Sequence, residues 1–255
     1  MPTPLALHRP LATARARIFA FPHAGGGASA FTRLRAALAE HDVELCPLQP
    51  AGRENRWGDA ESESVEAMAL EFADAISGLP SLPFALLGHS FGGLVAYATA
   101  SVLQDRGLVA SHFIASGSVA PQTEPEAIDH LDKDAFRQKM LGLGGIPDLI
   151  LQDEDLYAMF EAGIRHDMRL GSAAAARSSG FVLPCPVTVY CGSEDRAASP
   201  ASACAWQKVA SRPLGLRVFE GGHFFLYADP DRTVAGLIED LNLQPRFSIS
   251  SSLAM

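Results

Sequence analysis

The sequence predicts an α/β fold, a mostly parallel sheet with helices on both faces, broken once by a helical insertion. Three observations carry that expectation. Short apolar runs rich in β-formers alternate with stretches of helical periodicity. The runs are continuously apolar, as strands covered on both faces are. Between 117 and 186 the alternation stops and only helical patterns remain. With 255 residues, 48% apolar and 19% charged, the chain has the material for a large buried core.

The elements follow in order. RIFAF (17–21) is the first strand, then a glycine-rich loop and a helical stretch over 31–40. VELCPLQ (43–49) is the second strand. The helix near 64–77 repeats Val65, Met68, Ala69, Phe72 and Ile76 at helical spacing. FALLG (84–88) leads into a helix at 91–106. HFIAS (112–116), VTVYCG (187–192) and LRVFEG (216–221) complete the strands, with helices at 200–210 and 231–242. The insertion, about 121–182, holds helical patterns near 132–141, 153–169 and 172–179 and is expected to form a lid over a site. With no repeat and no linker, 1–255 is expected to be a single domain. Its polar tail, PRFSISSSLAM (245–255), is expected to be disordered.

Composition excludes some classes of function. A net charge of −9 argues against nucleic acid and anionic membrane as partners, since both attract basic proteins. No run reaches the roughly 18 apolar residues of a membrane span, and the proline-bearing N-terminus has no apolar signal core. Cys46, Cys185, Cys191 and Cys204 form no C-x-x-C pair, so neither a metal knuckle nor a redox pair is expected. Free thiols fit a reducing compartment, and a cytoplasmic location is expected.

The chemistry starts at Gly88-His89-Ser90-Phe91-Gly92, where a strand turns directly into a helix. That turn strains the serine backbone, glycines on either side relieve crowding, and the hydroxyl is lifted above the sheet edge. A serine needs a base. His223 follows Gly221-Gly222 after the last strand, on the same sheet edge. Asp195, after the preceding strand, would fix the imidazole tautomer, with Glu194 as its rival. His89 is expected to shape the turn rather than act as base. A tetrahedral intermediate also needs donors, expected from the backbone N–H of Phe91 and of Ala24 in Pro22-His23-Ala24-Gly25-Gly26-Gly27. A β-branched residue at Gly25 is expected to cost turnover more than stability. An inert serine in a tight turn is the plain alternative for the motif alone; three elements in the order Ser, Asp, His, each directly after its own strand, argue against it.

FPHAGGGASAF (21–31), PAGRENR (50–56), GHSFGG (88–93), GSEDR (192–196) and GGHFF (221–225), with LGGIP (143–147) in the insertion, together resemble the type II thioesterases, from about residue 17 to 242. The resemblance implies an α/β-hydrolase fold. It also implies hydrolysis of acyl thioesters carried on the phosphopantetheine of acyl or peptidyl carrier domains in polyketide and nonribosomal peptide assembly lines. Carried over by position, Ser90 is the nucleophile, His223 the base, Asp195 the acid, and Ala24 and Phe91 the oxyanion donors. No cofactor and no metal are implied, and a monomer is expected. The run Gly163-Ile164-Arg165-His166-Asp167 departs from the family pattern, so the lid is where the likeness is weakest.

Most apolar side chains of the insertion are expected to pack the lid, while Met140, Met159 and Phe160 are candidates to line an acyl chamber. Arg53 and Arg56 are expected either to meet a carrier protein or to pair with Glu54, Asp59 or Glu61 in their own loop. The competing functions are a general carboxylesterase or lipase, acyl transfer or product release, and a binding protein that has lost catalysis.

Overall fold

β1 (Ala16–Phe21) is buried at every position, and its side chains divide strictly by parity. Phe19 and Phe21 enter one apolar core, Ile18 and Ala20 the other. The same division holds in β3 (Phe84–His89), β4 (His112–Ser116) and β5 (Val187–Gly192). Leu86, Phe113 and Val189 face the first core, and Leu87, Ile114 and Tyr190 the second. A strand sends successive side chains to opposite faces, so a run apolar at every position belongs between two layers. With β2 (Val43–Pro47) and β6 (Gly215–Phe219) these strands form one sheet in the order β2-β1-β3-β4-β5-β6, every pair parallel.

This computed structural model describes residues 3–243 apart from 6, 125, 127, 145, 147 and 176–179. The tail expected to be disordered (245–255) and the end of the 172–179 helical pattern lie outside the described residues.

α1 (Thr32–Ala39) packs against the second face. α2 (Val65–Ser77) and α3 (Phe91–Asp105) cover the first. α2 begins at Ser64, whose hydroxyl accepts the Ala67 N–H at 3.0 Å, satisfying one of the free donors of the first turn. Between β4 and β5 come α4 (Lys133–Leu143), α5 (Asp148–Gln152) and α6 (Glu154–Ala175). α7 (Phe225–Ala228) and α8 (Pro230–Asp240) close the chain on the second face.

Four elements differ from expectation. The patterns at 153–169 and 172–179 belong, as far as the described residues run, to one helix. Gly171 does not interrupt α6; a Cβ there would lie 3.5 Å from the Phe91 ring, an ordinary contact. Residues Pro200–Val209 form a 3-10 helix, not an α-helix. Ser202 Oγ donates to Ser199 O at 2.7 Å and Cys204 Sγ contacts Ala201 O at 3.5 Å, so side chains reinforce the i−3 spacing. The short α5 and α7 carry too few residues to show a period.

The glycines around Ser90 are steric requirements. A Cβ on Gly88 would overlap the Gly92 carbonyl, and one on Gly92 would overlap the carbonyl of Phe21. Backbone cannot give way as a side-chain tip can. Gly88→Ala is therefore expected to destabilise the protein by about 3 kcal/mol, measured by denaturant unfolding; a loss no larger than that of an exposed-site control would contradict this packing.

Candidate active site

The turn from β3 into α3 holds Ser90 at φ 54°, ψ −123°, a conformation that costs a non-glycine residue about 1–3 kcal/mol and persists only where the surroundings enforce it. The Ser90 N–H donates to Ser116 O at 2.8 Å, tying the turn to the end of β4. Ser90 Oγ is 2.9 Å from His223 Nε2. His223 Nδ1 is 2.9 Å from Asp195 Oδ2, while Asp195 Oδ1 accepts the N–H groups of Ala197 (2.8 Å) and Ala198 (3.0 Å). Asp195 is only 3% exposed. Burial acts to raise its pKa, but the His223 hydrogen bond and charge, with the two N–H donors, hold it below the ordinary carboxylate value. Glu194 is exposed and contributes its backbone N–H to Gly221 O, so the structure sets Asp195, not Glu194, against the imidazole.

Two further imidazoles stand close by. The His89 ring lies 5.4 Å from that of His223, and its Nδ1 is 3.0 Å from Ser116 Oγ. Burial first, then the charge of His223 and His23, drives its pKa well below normal. His23 is lowered to about 4 by burial and by His223. Both are neutral at pH 7, leaving His223 as the imidazole beside Ser90. His89 is fully buried and lines neither of the spaces that Ser90 and His223 open onto.

Phe91 is the first residue of α3, where first-turn N–H groups have no acceptor within the helix. Ala24 lies in the loop after β1 and borders the same space as Ser90 and His223. Both expected donors therefore flank the serine. Ser90 and His223 also open onto a cavity of about 340 Å³, walled by apolar groups including Leu94, Ile128, Leu143 and Met168, with Arg196 at its rim.

The insertion supplies the remaining wall. Phe136, Met140 and Ile164 cluster with Ala24 and, more loosely, with Phe91, Phe160 and Met168. Met140 and Phe160 border the Ser90 site as expected. Met159 does not. One residue before Phe160 on α6, it is turned by about 100° about the helix axis. It is 44% exposed and faces an outer groove with Trp57 and Leu156.

The structure bears on two other expectations. Of the two roles expected for Arg53 and Arg56, the structure gives pairing within the loop: they are 8% and 6% exposed, which does not suit a surface for a carrier protein. Arg56 pairs with Asp59 at 2.8 Å and Glu71 at 2.6 Å; Arg53 pairs with Glu61 and with Asp167. Gly25 has φ 71°, and a Cβ there would lie 2.5 Å from Ile164 Cγ1, so a β-branched residue must cost stability as well as turnover.

Asp167 was not anticipated. It accepts the Gly25 N–H at 2.7 Å from the buried face of α6, and burial raises its pKa against the opposing pull of Arg53 and that N–H. Its partners are 114 and 142 residues away, beyond any local signal. Among the described residues His8, Glu44 and Cys46 bring three ligand-type atoms within 4.8 Å of one another. They fit a metal poorly, because Arg17 already pairs with Glu44, and burial pushes the Cys46 thiol up, away from the thiolate a metal needs.

The model of the thioesterase domain family matches residues 16–242. The gramicidin S biosynthesis protein GrsT of Aneurinibacillus migulanus is 31% identical over 234 residues, 90% of each chain. RedJ, a thioesterase from the prodiginine biosynthetic pathway in Streptomyces coelicolor, matches with a TM-score of 0.82 at 31% identity, covering 91% of this chain and 92% of that one. YbtT, a type II thioesterase from the yersiniabactin NRPS/PKS pathway, matches with a TM-score of 0.80 at 27% identity over 91% and 94% of the two chains. The chain belongs to the thioesterase family, in the company of the type II thioesterases of polyketide and nonribosomal peptide pathways.

Proposed function

We propose that the protein hydrolyses acyl thioesters borne on the phosphopantetheine arm of carrier proteins, through an acyl-enzyme on Ser90. The observation that carries this reading is the unbroken chain Ser90 Oγ–His223 Nε2 and His223 Nδ1–Asp195 Oδ2, both links 2.9 Å, opening onto an apolar cavity. His223 takes the hydroxyl proton as Ser90 Oγ attacks the thioester carbonyl. The N–H groups of Phe91 and Ala24 receive the developing oxyanion, and Asp195 stabilises the imidazolium. The tetrahedral intermediate expels sulfur, which takes the proton from His223 and leaves as the pantetheine thiol. Water then attacks the acyl-Ser90 ester, giving its proton to His223; the acid departs and the serine is restored. The proposed reaction draws on protein groups and water.

Carrier-borne substrates fit better than free esters because the rim of the cavity carries an exposed arginine, Arg196, directly after Asp195. A guanidinium there can meet the phosphate of the arm. Three acyl substrates separate the readings: a phosphopantetheine thioester, the matching pantetheine thioester without phosphate, and the p-nitrophenyl ester. The phosphorylated thioester is expected to have the highest kcat/KM. Arg196→Ala is expected to raise its KM about tenfold with little change for the unphosphorylated one. A clear preference for the p-nitrophenyl ester would point to a general esterase and overturn the proposal.

A further inference from the structure

The loop that carries Ala24 is a tight turn with one soft coordinate. Gly26 N–H donates to His23 O at 2.9 Å, closing a four-residue turn with Ala24 and Gly25 at its centre. Gly25 has φ 71° while Ala24 is not among the residues of positive φ, the pattern of a type II turn. In such a turn the end residues are fixed, but the central peptide plane, here Ala24–Gly25, can rotate toward the type I orientation. Nothing in the four-residue turn itself prevents that rotation.

α6 prevents it. Asp167 Oδ2 accepts the Gly25 N–H at 2.7 Å, so a flipped peptide would turn the Ala24 carbonyl toward a carboxylate. Asp167 is itself held: Arg53 Nη2 lies 3.3 Å from Oδ1 and donates to Gly163 O at 3.0 Å, one turn earlier on α6. Arg53 Nη1 is anchored on Glu61 and on Gly52 O. The fit is close, since a Cβ on Gly163 would come within 2.9 Å of the guanidinium carbon. Ile164 fills the space beside Gly25. The Asp167 and Arg53 side chains are 5% and 9% exposed, so water competes little for these bonds.

We propose that Asp167, braced by Arg53, is a positioning residue that ties the Ala24–Gly25 peptide to α6 and thereby holds the loop, with the N–H of Ala24, in place beside Ser90. The inference rests on Ala24 serving as an oxyanion donor in the reaction proposed above. It also gives α6 a role other than that of a swinging lid: moving it off the loop would release the donor.

The test pairs kinetics with binding of a tetrahedral-intermediate mimic, an alkyl trifluoromethyl ketone, to the full chain. For Asp167→Ala, kcat is expected to fall about 30-fold, toward the loss caused by removing one oxyanion donor. KM should stay within about threefold, and mimic affinity should fall by the same factor as kcat/KM. Asp167→Asn keeps an oxygen for the Gly25 N–H but removes one of the two charge partners of Arg53, leaving Glu61. It should melt nearly as low as the alanine variant yet recover most of the turnover, a separation a purely structural role does not produce. A folded Asp167→Ala protein with near wild-type kcat, or a loss of kcat/KM without loss of mimic affinity, overturns the proposal. Should the alanine variant not fold, the asparagine variant decides: turnover falling in step with its melting temperature, with mimic affinity unchanged, also overturns it. A wild-type protein that neither cleaves thioesters nor binds the mimic would instead overturn the proposed reaction.

Discussion

Ser90→Ala is expected to lower kcat for thioester hydrolysis by at least about 10⁵-fold, with residual catalysis from the oxyanion donors and binding alone. The size of the effect follows from what remains. His223 keeps its Asp195 partner, but there is no oxygen to accept the acyl group, so both halves of the reaction lose their covalent intermediate. The fold should survive. Ser90 already holds a positive φ, enforced by the Ser116 carbonyl and by the close approach of Gly88 and Gly92 to neighbouring backbone, and alanine meets the same strain. Thiol release from an acyl-phosphopantetheine substrate, with thermal melting as the control, measures both. Retained turnover in a folded Ser90→Ala protein would remove this serine from the mechanism.

Asp195→Asn is expected to lower kcat by about 10⁴-fold with little change in melting temperature. The contacts of the carboxylate explain why so small a change costs so much. Oδ1 accepts two backbone N–H groups, from Ala197 and Ala198, and Oδ2 faces His223 Nδ1. An asparagine must point its carbonyl oxygen at the two N–H donors, which leaves its NH₂ facing Nδ1. The imidazole then accepts at Nδ1 and carries its proton on Nε2, the nitrogen 2.9 Å from Ser90. In that tautomer it cannot take the serine proton. A loss below about tenfold would mean that the carboxylate neither orients the ring nor stabilises its charge.

Much of this was legible in the sequence because it rests on local signals. The strands announced themselves as continuous apolar runs, since both faces of a parallel sheet are covered. Gly88-x-Ser90-x-Gly92 marked its own turn, and Asp195 and His223 each stood directly after a strand, so that parallel order alone put all three at one edge. What failed was set by tertiary contact. The patterns near 153–169 and 172–179 looked like two helices, but α6 runs unbroken from Glu154 to Ala175. Arg53 and Arg56 pair within their loop with Glu61 and Asp59, one of the two roles expected, but their further partners Asp167 and Glu71 come from other elements and take them inside. Met159 and Phe160 are neighbours in sequence, yet which of them faces the site depends on the rotation of α6.

The central claim is that Ser90 carries the acyl group. Rapid acid quench of the enzyme turning over an acyl-phosphopantetheinyl carrier protein, followed by peptide mass spectrometry, tests it directly. The expected result is an adduct of the acyl mass on the peptide containing Ser90, formed as free thiol appears and lost on longer incubation. Thiol release with no adduct at any time, or with the acyl group on another residue, would contradict the account.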